Sequence, residues 1–446
     1  MLVSKRSDDH GRLRAGFARV EITPPVGTPL MGWGEPWRRL AKGVHDPLYC
    51  RALYLAQGTD QVVILGLDLC FIGREDYDRV CGRLAREFGL MPRQILACAS
   101  HTHAGPAVGT YYDLRWNPPP RSYVEALDDA VVQAVGLARS RPVEVRLRAK
   151  VGRTALPMNR RQSRGGRIVN GPNPAGPVYD ALPVCLLEER ETAEPVCLLF
   201  ACSTHPVCFN GEHVSADYPG VAMDLLDRHL GRPCSLFLQG MAGDSRPVVL
   251  ADGSRWKSGP GPDETRQAGE MLAAEALALV SRLEEVEPGP LASAQIETRW
   301  PLQRAFGKED YRAIAEAAGA EVKARWANDQ IQRLERGRDL SAASILMHGV
   351  RVGERVRILA IEGEPLHPYG FMIEETVRRS ASQDAPVTFA VGYANGEGMY
   401  LVTTPMLAEG GYEPESYWEY HQAAPLAPGM EEVARRGLAA LCRQIG

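Results

Sequence analysis

Two histidines one residue apart, in Ser100-His101-Thr102-His103-Ala104-Gly105-Pro106, follow the apolar run Ile95-Leu96-Ala97-Cys98-Ala99 and end in two turn-forming residues. A strand of this kind delivers both imidazoles to its carboxyl end. Histidine is the commonest ligand for a borderline-soft ion such as zinc, and it is also the side chain best suited to moving protons near neutral pH. One of the pair can bind metal while the other does proton work. The pattern recurs where Phe200-Ala201-Cys202 passes into Ser203-Thr204-His205-Pro206. Buried imidazoles need partners, and a metal shared by His101 and His205 supplies one to each. His10, His45, His213, His229, His348, His367 and His421 lack this context.

The elements that must position these groups are legible in outline. Residues 16–22, 50–55 and 62–68 read as strands and 74–88 as a helix, after which a strand leads to His101. Residues 123–140 have helical spacing, and 143–151 form a further strand. Residues 157–178, rich in Gly, Pro, Arg and Asn, predict neither helix nor long strand but a loop of the length that serves a site. Strands resume at 184–187 and 196–201, and 236–238 leads into the turn Gln239-Gly240-Met241-Ala242-Gly243-Asp244-Ser245. A long helix spans 263–283, and 308–340 reads as a helical hairpin or arm with solvated charges. Two more strands, 356–361 and 387–391, run into Glu362-Gly363-Glu364-Pro365 and Gly392-Tyr393-Ala394-Asn395-Gly396. The pattern predicts an α/β fold of mixed multi-stranded sheets with flanking helices. Ligands of such folds gather at strand carboxyl ends, so His101, His205, Asp244, Glu364 and Asn395 are expected to converge there.

Composition narrows the class of protein. The 446 residues provide for one large unit or two intimately packed domains, with 45% hydrophobic and 24% charged residues, as in globular enzymes. A net charge of −4 offers no basic field for nucleic acid. No apolar stretch is long enough to span a membrane, and residues 1–10 carry charges where a signal core would be apolar, which predicts a cytoplasmic protein. Of the 10 cysteines, Cys98, Cys185, Cys197, Cys202 and Cys234 lie in or beside apolar runs and read as small hydrophobes. Oligomeric state is left open.

These residues resemble the catalytic domain of the neutral, non-lysosomal ceramidases, zinc-dependent amidases that cleave the N-acyl bond of ceramide. The resemblance runs through nearly all of residues 1–446, from Gly16-Phe17-Ala18-Arg19-Val20-Glu21-Ile22-Thr23-Pro24-Pro25 and Met31-Gly32-Trp33 through Gly43-Val44-His45-Asp46-Pro47-Leu48-Tyr49-Cys50-Arg51-Ala52. It is most specific at Ser100 to Pro106. It implies Zn2+ held by His101, His205 and Glu364, with Tyr400 completing the set and Tyr393 and Tyr412 as competitors for that place. It also implies that Arg160, in Asn159-Arg160-Arg161, lines the site. The family's alanine-glycine-aspartate-x-serine-proline turn is here Ala242-Gly243-Asp244-Ser245-Arg246-Pro247, so Arg246 stands where the family has its serine and Ser245 comes one place early. Full ceramidases carry a C-terminal β-sandwich domain, which is not expected in a chain ending at Gly446.

The expected chemistry is hydrolysis of a linear amide. Zinc with an open position lowers the pKa of its water to about 7 and polarises a carbonyl. His103 is assigned the general base and acid role, with support of a metal ligand as the alternative. Arg160 could hold the carbonyl oxygen or a substrate head group. Asp244, Ser245 and Arg246 would provide polar contacts around the scissile group, and Asp68 and Asp217 either orient histidines or cap turns. The expected substrate is a small-molecule or lipid N-acyl compound. Two other readings remain open: a hydrolase of small polar or anionic amides or esters, and a non-catalytic metal- or ligand-binding homologue.

Overall fold

A strand buried on both faces packs its alternate residues into two different cores, and the main sheet is built on this rule. In the Asp60–Leu67 strand, Val62 and Ile64 enter one cluster while Val63, Leu65 and Leu67 enter another. The computed structural model describes residues 11–32, 39–109, 119–303, 306–318, 321–380, 386–396 and 398–446. Residues 1–10, including His10, and Trp33 lie outside the described residues.

The fold is mixed α/β. The larger sheet has nine strands. Along its path lie Ser235–Gln239, Pro195–Cys202, Ala181–Glu189, Val143–Arg153, Arg14–Glu21, Tyr49–Gln57, Asp60–Leu67 and Ile95–Ala99, and the ninth strand, Glu284–Val286, pairs with Val143–Arg153 off that path. The pairs at its two edges are parallel and those between them antiparallel. A second sheet of four strands contains Leu291–Pro301, Ala342–Val352, Val356–Ile361 and Val387–Val391, the last two parallel.

The two sheets share one core, in which Ile64, Leu96, Leu199 and Leu236 meet Ile358, Val387 and Phe389. Helices cover the other faces. Arg74–Phe88 and Arg121–Ser140 pack on Val63 and Leu65, Asp217–Leu230 and Pro262–Val280 on Phe200 and Phe237, and His367–Ser380 and Met430–Ile445 on Leu359 and Ile361. All 10 cysteines are free and buried. Among the described residues no helix is long and apolar enough to cross a membrane.

Residues 157–178 differ from the sequence expectation. Pro157–Arg164 and Arg167–Asn173 form an antiparallel hairpin, joined by Ser245–Pro247 as a third strand. The turn is Gly165-Gly166, both at positive φ (58° and 77°), a two-residue hairpin connection that glycine makes without strain. A register shift between Asn170 and Asn173 accommodates Pro172. Turn residues and a bulge thus disguised two strands as a loop. Residues 308–340 contain the helices Lys308–Ala317 and Glu321–Glu335, with Tyr311 and Trp326 buried in a small cluster of their own.

Candidate metal centre

The carboxyl ends of strands from both sheets meet at one place. The larger sheet's two edges approach each other here: Gln239 N–H, at the end of one edge strand, donates to Cys98 Sγ of the other at 3.3 Å. The segment after Val387–Val391 closes the seam, with Gly392 N bonded to Gln239 O at 2.9 Å and Asn395 N to Ala97 O at 2.8 Å. His101 follows one edge strand and His205 the neighbour of the other.

The nitrogens of both histidines can be assigned from their partners. His101 Nδ1 lies 2.7 Å from Cys70 O, and His205 Nδ1 lies 2.7 Å from Ala242 O. A carbonyl only accepts, so each Nδ1 carries the proton and each Nε2 presents a lone pair. Glu364 Oε2 is 3.5 Å from His101 Nε2 and 3.2 Å from His205 Nε2. Tetrahedral ligands at about 2.0–2.1 Å from an ion stand about 3.3–3.5 Å apart, so the donor set fits a zinc-sized ion in both chemistry and spacing. All three residues are buried, at 2%, 0% and 2% exposure for His101, His205 and Glu364.

Backbone conformation is constrained around the cluster. His101, Tyr393 and Asn395 have φ of 66°, 53° and 60°, a region that non-glycine residues occupy at a cost and that surrounding bonds must hold. His101 N donates to Leu69 O and Tyr393 N to Gly363 O, each at 2.9 Å. Gly363 itself has φ 97°, and a Cβ there would lie 2.6 Å from Met399 O. Only glycine lets the chain turn so tightly before Glu364.

Burial sets the protonation states. It pushes the His101 imidazole down to about 4 despite the nearby Glu364 carboxylate, and lowers His205, with Arg160 acting in the same direction. Both rings are therefore neutral and available as ligands. Burial opposes the Glu364 carboxylate, while a hydrogen bond from Tyr420 favours the ionised form and helps to lower its pKa. Tyr420 Oη donates to Glu364 Oε1 at 2.5 Å.

Of the three tyrosines considered from sequence, Tyr400 has its Oη 3.5 Å from His205 Nε2 and its ring stacked on that imidazole. Tyr393 Oη lies 3.4 Å from Glu364 Oε2, with its ring 4.4 Å from that of His101. Tyr412 Oη is engaged elsewhere, donating to Glu419 at 2.9 Å. The Arg160 guanidinium sits 5.2 Å above the Tyr400 ring while its Nε donates to Glu413 Oε1 at 2.9 Å. Its Nη2 is buried without a hydrogen-bond partner of good geometry.

His103 turns back into the cluster. Its Nε2 lies 3.1 Å from His101 Nε2, its ring edges those of His101 and His205, and its carbonyl accepts from Arg39. Burial first, then the neighbouring His101 and His205 and the charges of Arg39 and Arg246, hold its pKa well below the ordinary value. Asp244 reaches the site through its main chain, its carbonyl accepting from Arg160 N at 2.8 Å. Its carboxylate is taken by His367, through the main-chain N at 3.0 Å and Nδ1 at 2.5 Å. Ser245 Oγ donates to Ser203 O at 2.6 Å. Arg246 stacks on Trp256, 5.0 Å from the ring centroid. Asp68 bonds Tyr49 N and Arg51 of the neighbouring strand, and Asp217 bonds Phe209 N and Tyr218 N, so these carboxylates are engaged with groups other than histidines.

No protein-family model matches the chain. Among solved structures, the neutral ceramidase from Pseudomonas aeruginosa superposes with a TM-score of 0.74 at 18% identity, over 97% of this chain and 74% of that one. A ceramidase complexed with C2 gives 0.73 at 17% identity, over 97% and 75%. The chain has the neutral-ceramidase fold. Within that ceramidase fold, three neighbours of the centre carried no signal in the sequence. Tyr420 and Glu413 lie in short irregular helices with no strand end before them, and His367 follows Glu364 without the small hydroxyl residues that flag His101 and His205.

Proposed function

We propose that this protein is a zinc-dependent hydrolase that cleaves a linear N-acyl amide, with an N-acyl lipid or related compound as substrate. The observation that carries this reading is the convergence of two unprotonated Nε2 atoms and a carboxylate on one buried point, with Tyr400 beside them. His101, His205, Glu364 and Tyr400 would hold the ion, which when bound supplies Lewis acidity to a carbonyl and acidifies a water molecule. The remaining steps belong to the chain's own side chains. His103 takes a proton from the attacking water and returns it to the leaving amine. Arg160 directs its spare Nη2 donor at the carbonyl oxygen, where negative charge grows. Glu413 fixes that guanidinium, and Tyr420 fixes Glu364.

The likeness to ceramidases supports the amide as the bond cleaved. Elemental analysis of the purified protein, followed by assay of the zinc-loaded protein on N-acyl lipids, N-acyl amino acids and simple esters, tests the reading. About one zinc per chain and preferential amide hydrolysis are expected. No transition metal taken up, or no amide cleaved by the loaded protein, overturns it.

A further inference from the structure

His101 is clamped to a further strand end whose side chain the proposed reaction does not use. The strand Asp60–Leu67 runs into Asp68-Leu69-Cys70, and this turn is tied to the turn of the two histidines at several points. Leu69 O accepts from His101 N at 2.9 Å, Cys70 N donates to Pro106 O at 2.9 Å, and Phe71 pairs with Ala107 in parallel register. Cys70 O also accepts from His101 Nδ1 at 2.7 Å. With its main chain held on both sides, Cys70 moves only by rotation of its side chain, and its thiol stays beside the imidazoles. One ligand atom from each of Cys70, His101 and His103 lies within 4.8 Å of the other two, and all three residues are buried.

This set differs in kind from the one formed by His101, His205 and Glu364. It has sulfur in place of a carboxylate oxygen, and thiolate selects soft ions where carboxylate suits harder ones. Ligands about 2.3 Å (sulfur) and 2.0–2.1 Å (nitrogen) from an ion stand about 3.6–4.4 Å apart between tetrahedral and linear coordination, so a turn of the Cys70 side chain closes the spread that remains. Charge narrows the choice of ion. Arg39, buried beside the set, donates to His103 O and, at 3.1 Å, to Met31 O. A thiolate and a monovalent ion together add no net charge next to that guanidinium, whereas a divalent ion would leave a positive charge in a place that water does not screen. Copper(I), soft and monovalent, meets both requirements. The Nδ1 proton of His101 is held by Cys70 O, which leaves Nε2 as its ligand atom for either set. An ion in one set therefore excludes an ion in the other.

We propose that Cys70, His103 and His101 form an alternative site for copper(I), which competes with the zinc site for His101. On binding, the thiol S–H bond breaks, a copper–sulfur bond forms and the proton passes to solvent, with no electron transferred. Copper held there occupies His103 and withdraws His101 from Glu364, so it silences the hydrolytic centre. The copper binding stands apart from the hydrolase reading, and only its exchange with zinc rests on that reading. Copper(I) is supplied anaerobically to the metal-free protein in competition with a chromophoric copper(I) chelator, and the ultraviolet absorption of a copper–thiolate bond is recorded. The wild type should bind one ion tightly with that absorption. Cys70→Ser should lose the absorption and bind about a hundredfold more weakly or worse. Equal affinity of the two proteins, or tight binding without the thiolate absorption, overturns the proposal. Should Cys70→Ser fail to fold, as judged by its melting curve, Cys70→Ala takes its place. On the zinc-loaded wild type, one equivalent of copper(I) followed by desalting should release the zinc, while Cys70→Ser should keep it. Copper and zinc retained together, one of each per chain, would overturn the competition for His101. Copper(I) bound through Cys70 by a protein that takes up no zinc would uphold this site and overturn the hydrolase reading.

Discussion

At the scale of residues, the proposed centre would work by making imidazoles into good ligands before any ion arrives. Main-chain carbonyls of Cys70 and Ala242 hold the Nδ1 protons, and burial keeps both rings neutral. His103 points its Nε2 at that of His101. The three histidines should therefore respond differently to truncation. His101→Ala and His205→Ala are expected to lose both metal and activity. His103→Ala is expected to keep its metal while kcat falls about a hundredfold, as loss of a proton-transfer group implies. Metal content and kcat measured together on the three variants check this; loss of metal from His103→Ala with retention in His101→Ala would reverse the assignment.

At the scale of elements, the three-stranded sheet is a small platform that must carry two buried arginines. Glu413 makes this tolerable by accepting from Arg160 at 2.9 Å and from Arg161 at 2.5 Å, all three side chains being nearly inaccessible. Removing one partner of a buried ion pair leaves charge stranded, at a cost of about 3–5 kcal/mol. Glu413→Gln preserves the shape and strands the Arg160 guanidinium, while Arg161 keeps its pair with Glu409. It should destabilise the protein by about 3 kcal/mol in urea denaturation and also lower kcat/KM, because Arg160 loses its anchor. An unchanged denaturation midpoint would show that the pair contributes nothing to the fold.

At the scale of the whole molecule, the seam between the two sheets is polar where it closes. Asn395 Oδ1 accepts from Ala97 N at 2.9 Å, while its Nδ2 donates to His348 Nδ1 at 3.0 Å. The second bond requires an unprotonated Nδ1, and burial pushes the His348 imidazole down to about 4. A histidine with an ordinary pKa of about 6.5 when unfolded then takes up a proton only in the unfolded chain between those values. Above pH 6.5 this group adds no pH dependence; from there down to pH 4 it costs stability progressively, up to about 3 kcal/mol. His348→Met should therefore show a shallower loss of stability on acidification than the wild type, by about one proton in the slope. Parallel slopes in urea denaturations of the metal-free proteins at pH 7 and pH 4.5 would refute this.

The amino-acid sequence by itself determined the alternation of strands and helices, the Arg74–Phe88 helix to the residue, and the strand ends that carry His101, His205 and Glu364. These follow from neighbours a few positions apart, through hydrophobic period and turn chemistry. The hairpin within residues 157–178 escaped because Gly165-Gly166 and Pro172 look like loop wherever no partner strand is known. Only the tertiary structure decided that the edges of the larger sheet meet, that His103 faces inward, and that Arg246 rather than Ser245 shares a face with Arg160. It alone brought Tyr420 to Glu364, 56 residues away. Side-chain direction at a strand end depends on register and on long-range contacts, and no local pattern encodes either.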